Sequence, residues 1–196
     1  MIEPALVLLD FSSIAAGIQA ADAMIKRAEL DVIKAGTVQP GRWLILAGGT
    51  VAEVEEALAA GREVGAGALM DDVFLPQVHP AVVEGIGGKR LPEAQSALGI
   101  VETATASAAV IAADAGMKGA MVDLVEIRLA DGLGGKGIVL YSGLVADVEA
   151  AVDISVGLLT KPGQLIHDVV IPQLHPAMWE KIAEATGFST RVLERI

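Results

Sequence analysis

Apolar positions along this chain follow two patterns, one typical of strands and one typical of helices. The continuous apolar run from Ala5 to Phe11 predicts a buried strand. From Ser13 onward, apolar residues return every three or four positions, which predicts an amphipathic helix. Two further apolar runs, Leu30 to Val38 and Arg42 to Gly49, flank a Gln-Pro-Gly turn and predict a hairpin.

The same unit closes with a second helix and a fourth strand. Thr50 and Glu53 have the spacing of a capping box, which predicts the start of that helix. The run from Ala68 to Leu75 predicts the last strand. The order β-α-β-β-α-β is that of the ferredoxin-like fold, in which one antiparallel sheet carries both helices, so the predicted fold class is α+β.

This unit occurs twice. The helix segment AADAMIKRA at 20–28 returns as AADAGMKGA at 112–120, and VFLPQVHPA at 73–81 returns as VVIPQLHPA at 169–177. The offset between matched residues steps from 92 to 94 to 96, so the second half carries two short insertions.

The repeat sets the expected domain organisation. Because insertions are tolerated best in loops, we expect the two insertions there. The predicted segments are the insertions near 130–135 and 158–164, a first domain at 1–86, a linker at 87–96, a second domain at 97–182 and a C-terminal tail at 183–196.

Composition narrows the class of protein. Hydrophobic residues make up 53% of the chain and 22 further residues are glycine, yet no uncharged stretch approaches the roughly 18 residues that a membrane span needs. We therefore expect the surplus apolar surface to be buried between subunits. The net charge of −11 argues against nucleic acid as a partner. With zero cysteines and no basic, apolar leader, a cytoplasmic oligomer is expected.

One glycine-rich stretch imitates a nucleotide motif. GLGGKG, at 132–137, matches the spacing G-x-G-x-x-G, but a strand-like run follows it instead of a helix. Without a helix N-terminus there is no anion site of the dinucleotide type. A tight loop that glycine permits is the favoured interpretation.

The repeated histidines raise the question of catalysis or metal binding. His79 and His175 each follow Pro-Gln-x and precede a proline, while His167 has no counterpart in the first half. No cysteine, histidine or Glu-x-x-His spacing supports a metal site. The favoured interpretation is a strand end and a short helix whose first turn holds the proline, with each imidazole bonded to backbone.

Charged residues on the first helix of each half also repeat. Asp22 precedes Lys26 by four positions, and Asp114 precedes Lys118 in the same way, which is the spacing of a helical ion pair. A second possibility is that these lysines meet a neighbouring subunit. Apart from these pairs, no nucleophile–base or paired-acid constellation is evident, so catalysis is not expected.

Taken together, the AADA-x-x-K helices, ALGIVET at 97–103, GLGGK and VVIPQLHPAMW at 169–179 resemble bacterial microcompartment (BMC) shell proteins of the tandem-domain, trimer-forming class. The order of elements is similar to the non-permuted arrangement. The resemblance implies a structural protein: a homotrimer that forms a pseudohexameric facet tile and meets other BMC shell proteins edge to edge. Encapsulated enzymes are a further implied partner class.

The resemblance also implies site residues. Small polar metabolites would pass a central pore lined by the hairpin loops, here Gln39, Pro40, Gly41, Leu133, Gly134 and Gly135. Tile edges would be formed by the helix lysines and the closing motif, here Lys26, Lys118, Gln77, His79, Gln173 and His175.

Two features depart from the family. The closing motif usually carries arginine where this chain has Gln77 and Gln173, and glutamine lacks both the charge and the guanidinium fork. Some trimeric members hold an iron–sulfur cluster on a pore-loop cysteine, and the matching residue here is Gln39. No cofactor and no metal are therefore predicted.

Two other functions stay open from the residues alone. A ferredoxin-like sensor that binds a small molecule between its domains is the alternative from another class, and it predicts ligand-dependent melting. An enzyme that uses His79 or His175 is the third, and the weakest.

Overall fold

The predicted order of elements recurs in a computed structural model, which describes residues 5–91 and 97–184. The first half contains β1 Ala5–Phe11, α1 Ile14–Arg27, β2 Val32–Val38, β3 Arg42–Gly49, α2 Val51–Gly65, β4 Leu69–Leu75 and α3 Pro80–Ile86. The second half contains β5 Ala97–Thr103, α4 Ala106–Gly119, β6 Asp123–Leu129, β7 Gly137–Gly143, α5 Val145–Gly157, β8 Leu165–Ile171 and α6 Pro176–Glu184.

Each half forms one four-stranded sheet. The strand orders are β2-β3-β1-β4 and β6-β7-β5-β8, and every neighbouring pair runs antiparallel. This is the ferredoxin-like order, so the α+β prediction is confirmed for both halves. The hairpin β2–β3 is present, with Val38 paired to Arg42 across the turn.

Side-chain caps fix where the helices begin. The hydroxyl of Ser13 accepts the Ala16 N–H before α1, and that of Thr105 accepts the Ala108 N–H before α4. Thr50 and Glu53 form the predicted capping box at α2, with both reciprocal bonds present. Each such cap stabilises its helix by about 1 kcal/mol.

Strand β1 is buried on both faces, which explains its unbroken apolar run. Successive strand residues point to opposite faces of a sheet. Val7 and Leu9 pack with α1 and α2 in the core of the first domain. Leu6 and Leu8 point the other way and belong to a core that extends into the second domain. One sheet face therefore holds its own helices, and the other holds the neighbouring domain.

Helix α4 provides most of the second domain's side of that contact. Ala106 and Val110 are fully buried in the shared core, and the Ser107 hydroxyl donates to the carbonyl oxygen of Leu8 at 3.3 Å. Small residues on α4 let the helix lie close to the first domain's sheet. The two domains are thus joined by a packed apolar interface as well as by the linker.

Both predicted insertions lie between elements. The stretch 130–136 connects β6 to β7, and 158–164 connects α5 to β8. The structure also shows a one-residue deletion and a one-residue insertion that cancel each other, so the sequence comparison misses both. The connection 120–122 is one residue shorter than its counterpart 28–31, and an irregularity in β6 between Leu124 and Glu126 restores the register. This β-bulge returns the following residues to their proper faces.

The predicted linker is partly described and partly not. Residues 92–96 lie outside the described residues, as do residues 185–196 of the predicted tail. Arg90 pairs with the buried Glu126 at 2.9 Å and donates to the carbonyl of Ile182 at 2.5 Å. The linker arginine therefore ties the C-terminal end of α6 to the second sheet, where a cation also suits the helix dipole.

Candidate functional site

The two Pro-Gln-x-His-Pro segments form the same corner in each domain. His79 is the N-cap of α3, and its Nδ1 accepts the Ala81 N–H at 3.2 Å. His175 Nδ1 accepts the Ala177 N–H at the same distance before α6. The interpretation of the imidazoles as backbone-bonded caps is confirmed. A ring nitrogen held by a main-chain N–H has lost the lone pair that a metal ligand or a base would use.

The first corner lies against helix α4. The His79 N–H donates to Asp114 Oδ1 at 2.8 Å, and Lys118 Nζ donates to the main-chain carbonyl of Gln77. Asp114 and Lys118 are themselves paired at 2.7 Å. Sequence reasoning placed Lys118 at a tile edge, and within this chain its ammonium group already bonds the first domain's corner. The Gln77 side chain is exposed and its main-chain carbonyl makes the contact.

The matching residues of the other half lie on open surface. Lys26 pairs with Asp22 at 2.6 Å on α1, and both side chains are exposed. Gln173 and His175 are exposed at the second corner. The predicted edge residues therefore fall into one group at the junction between domains and one group that faces solvent.

The two predicted pore loops adjoin each other. Gln39, Pro40 and Gly41 form the exposed turn of the first hairpin, and the next residue, Arg42, donates to the carbonyl of Gly135 at 3.1 Å. The second loop is positioned by this contact.

Glycine has a specific role in both loops. Gly41, Gly134 and Gly135 adopt positive φ values of 101°, 64° and 87°, a backbone region that side chains with a Cβ avoid. At Gly135 a Cβ would also meet the Arg42 guanidinium at 2.8 Å, and this glycine is buried while Gly134 is exposed and Leu133 is half-buried. The GLGGKG stretch is thus a tight loop, as interpreted from sequence, and strand β7 follows it.

Sequence reasoning missed a polar network between the domains. Asp71, at the start of β4, accepts bonds from Lys161 Nζ at 2.6 Å, Thr105 Oγ1 at 2.5 Å and Gln164 Nε2 at 3.2 Å. All three donors belong to the second half. The only available signal was that Asp71 aligns with His167, so the acid is present in one copy of the repeat alone.

Asp71 and Asp10, its partner across β1 and β4, are both buried, and their pKa values are shifted in opposite directions. Burial raises the pKa of Asp10 above its usual value, and the neighbouring Arg42, at 3.2 Å, offsets this only in part. Burial also favours the neutral form of Asp71, but its hydrogen bonds, with that from Lys161 the strongest, outweigh burial and hold the pKa of this carboxyl below its usual value.

Replacing Asp71 with asparagine should therefore destabilise the protein most above about pH 4 and progressively less as the pH falls below that value. A depressed folded-state pKa contributes stability above the unfolded-state pKa, and that stability is lost as the pH falls through the folded-state value. We expect Asp71→Asn to lower the free energy of unfolding by about 2 kcal/mol at pH 7, measured by urea denaturation at fixed protein concentration.

The matched control is Glu84→Gln, which removes an exposed ion pair with Lys89 and should cost less than about 1 kcal/mol at any pH. A loss for Asp71→Asn that persists undiminished below about pH 3 would contradict the role given to its charge.

The described residues contain no group of three or more His, Cys, Asp or Glu side chains that could hold a metal ion. Among the helices in 5–91 and 97–184, none is long and apolar enough to cross a membrane. What the geometry builds twice is a set of surfaces for packing: a corner, a helix face with an Asp–Lys pair and a hairpin loop.

A tandem arrangement of two α+β domains with repeated contact surfaces fits the class of structural, assembly-forming proteins. Comparison with known proteins agrees with this class. The BMC domain model matches residues 5–78 and again residues 97–174. The bacterial microcompartment shell protein PduT of Citrobacter freundii is 36% identical over 180 residues, which is 92% of this chain and 98% of that protein.

Solved structures give the same result. A microcompartment protein from Desulfitobacterium hafniense is 41% identical, with a TM-score of 0.77, over 90% of this chain and 98% of that one. A fused permuted hexameric shell protein of the RMM microcompartment has a TM-score of 0.57 over 79% of this chain and 82% of that one, at 23% identity, and shows the fold alone. This chain belongs to the BMC-domain family, and it is a structural shell protein of a bacterial microcompartment.

Proposed function

We propose that this shell protein is a homotrimer whose six domains form a pseudohexameric facet tile with a central pore. In this proposal the repeating units are a domain at 1–86 and a domain at 97–182, joined by residues 87–96. The tile meets other shell proteins at its edges and separates encapsulated enzymes from the surrounding solution. Its function is structural and it does not catalyse a reaction.

The observation that carries this proposal is the contact between the two domains. The corner and outer sheet face of the first domain lie on α4 of the second, so two different surfaces meet. A head-to-tail contact of this kind can be repeated from one chain to the next, and it generates a ring when the rotation closes. Because the two domains are homologous, the same contact can alternate within and between chains.

The proposed pore is formed where the hairpin loops meet at the centre of the ring. The bond from Arg42 to Gly135 already brings one pair of loops together within a chain. Gly41 and Gly134 are exposed and carry no side chain, so main-chain polar groups of the loops would face the pore and favour polar solutes. Small polar metabolites are therefore the proposed solutes.

The proposed tile edge uses Lys26 and Lys118 together with Gln77, His79, Gln173 and His175. The Gln77 and Gln173 side chains are exposed and uncharged. Compared with the arginine usual in the family, they offer hydrogen bonds without the charge-assisted, bidentate kind. We therefore expect an edge that depends more on the lysines and on apolar contact.

Native mass spectrometry tests the assembly. We expect a single species containing three 20.1 kDa chains at micromolar concentration. A stable monomer or dimer would contradict the proposal. A melting temperature that rises with one class of small metabolite, in a protein that is not a trimer, would favour the sensor instead.

A further inference from the structure

The first helix of each domain is the same element in two different environments. On α4, Ala106 and Val110 are 0% exposed because the first domain covers them. The matched residues on α1 are isoleucines, and Ile14 is 37% and Ile18 is 51% exposed. The larger apolar side chains therefore lie on the outer face of α1, which the described residues of this chain leave partly exposed.

That apolar face continues along α1. Ile25 follows Ile18 by seven residues, which places it on the same side of the helix, and it is 56% exposed. Its counterpart on α4, Met117, packs at the border of the shared core. Burying an isoleucine contributes about 2 kcal/mol, so this face favours a partner.

The polar groups on the same face show the same difference. Asp114 and Lys118 hold the first corner, and their side chains are 7% and 42% exposed. Asp22 and Lys26 are bonded to each other at the equivalent positions, with side chains 61% and 73% exposed. The Asp22 carboxylate and the Lys26 ammonium on α1 can therefore each form further hydrogen bonds.

The second corner offers the groups that this pair would bind. At the first corner the bonded groups are the His79 N–H and the Gln77 carbonyl. The matching residues, His175 and Gln173, are exposed and follow the same strand–corner–helix path. The donor and the acceptor are the main-chain groups, so the glutamine side chain does not decide this contact.

A second pair of matched charges supports the same partner. Asp10 is buried and the Arg42 side chain is only 16% exposed where Arg42 reaches Gly135 of the other domain. Their counterparts, Glu102 and Lys136, are paired at 2.8 Å but remain 34% and 49% exposed. In the repeated contact, Lys136 would reach the hairpin loop of another chain.

We propose that the exposed face of α1, formed by Ile14, Ile18, Asp22, Ile25 and Lys26, binds the 173–175 corner of a second copy of this chain. In this contact Asp22 accepts the His175 N–H and Lys26 donates to the Gln173 carbonyl. The inference rests on the proposed trimer and deepens it, since it names the surfaces that join its chains. It places the Asp22–Lys26 pair in the contact between two chains of one trimer, with Lys26 at the end of that contact nearest the tile edge.

Thiol cross-linking tests the contact, because the chain has no cysteine of its own. The double variant Lys26→Cys/Gln173→Cys changes two exposed positions and should leave the fold intact. With a short bismaleimide at low protein concentration, we expect covalent dimers and trimers on a denaturing gel. The matched variant Lys118→Cys/Gln77→Cys should react within one chain and stay at monomer mass.

Each remaining outcome has a distinct meaning. A native trimer that gives no covalent dimer, while the matched variant reacts, would overturn the inference and leave the proposed trimer standing. A Lys26→Cys/Gln173→Cys variant that gives no more covalent dimer than Lys26→Cys alone would show that the two residues do not meet across the junction, and would also overturn it. A wild-type protein that is monomeric by native mass would overturn the proposed function itself.

Discussion

Replacing Tyr141 with alanine is expected to lower the free energy of unfolding by about 4 kcal/mol. Tyr141 is fully buried on β7, and its hydroxyl donates to the Ala112 carbonyl at 2.7 Å and lies 2.8 Å from the Ser155 hydroxyl. The substitution leaves a cavity in the core that joins the domains, and it removes a bond between β7 and α4. Thermal or urea unfolding at constant protein concentration measures the change.

The matched control is Tyr141→Phe, which keeps the ring and removes only the hydroxyl. It should cost about 1 to 2 kcal/mol, because Ser155 still donates to the Ala112 carbonyl at 2.9 Å. The tyrosine is tightly packed, since a Cβ added to Gly116 would lie 2.4 Å from the Tyr141 hydroxyl oxygen. Equal losses for the two variants would contradict the cavity explanation.

Replacing Lys26 and Lys118 together with alanine is expected to abolish the extended arrays in which tiles meet edge to edge, while the trimer persists. The Lys26 side chain is highly exposed, and Lys118 is partly exposed beside the first corner. An exposed ion pair contributes less than about 1 kcal/mol, which is small beside the burial of the three α1 isoleucines proposed for the junction between chains. An array repeats its weak contact many times, so it is far more sensitive.

Electron microscopy of concentrated protein measures the arrays, and native mass spectrometry measures the trimer. Lys34→Ala, on the exposed face of β2, is the matched control and should leave the arrays unchanged. Arrays that form undiminished in the Lys26/Lys118 variant would refute the edge role of these lysines.

The repeat made most of the fold predictable. Every feature present in both halves could be checked against its copy, which is how the histidine corners were interpreted as structural. His79 illustrates this: one Pro-Gln-x-His-Pro segment suggests a ligand, whereas two of them, each before a proline that suits a helix start, suggest a structural cap. The hydrogen bonds to Ala81 and Ala177 confirm the cap.

Features that occur once were not predictable in this way. Asp71 has no acidic counterpart, and its donors are about 30 to 90 residues away along the chain. The bulge in β6 is not visible in the sequence, because a one-residue deletion before it leaves the offset between the two halves unchanged. The apolar run of β1 indicates burial on both faces, but nothing in the sequence says that one of those faces meets α4. Contacts between the domains depend on how the domains dock, and local patterns do not encode that.

The different environments of α1 and α4 link the fold to the assembly. Two helices from one ancestral pattern have separated into a helix with small, buried residues and a helix with larger, exposed isoleucines. A monomeric protein would be more soluble with polar residues in place of the exposed Ile14 and Ile18. Their retention fits a surface that is covered when chains associate.

An electron micrograph of the purified protein tests the proposed trimeric tile. We expect single particles with three-fold symmetry, a pseudohexagonal outline and a central pore, and flat arrays of the same particle at high concentration. Particles without three-fold symmetry, or a field of separate monomers, would contradict it.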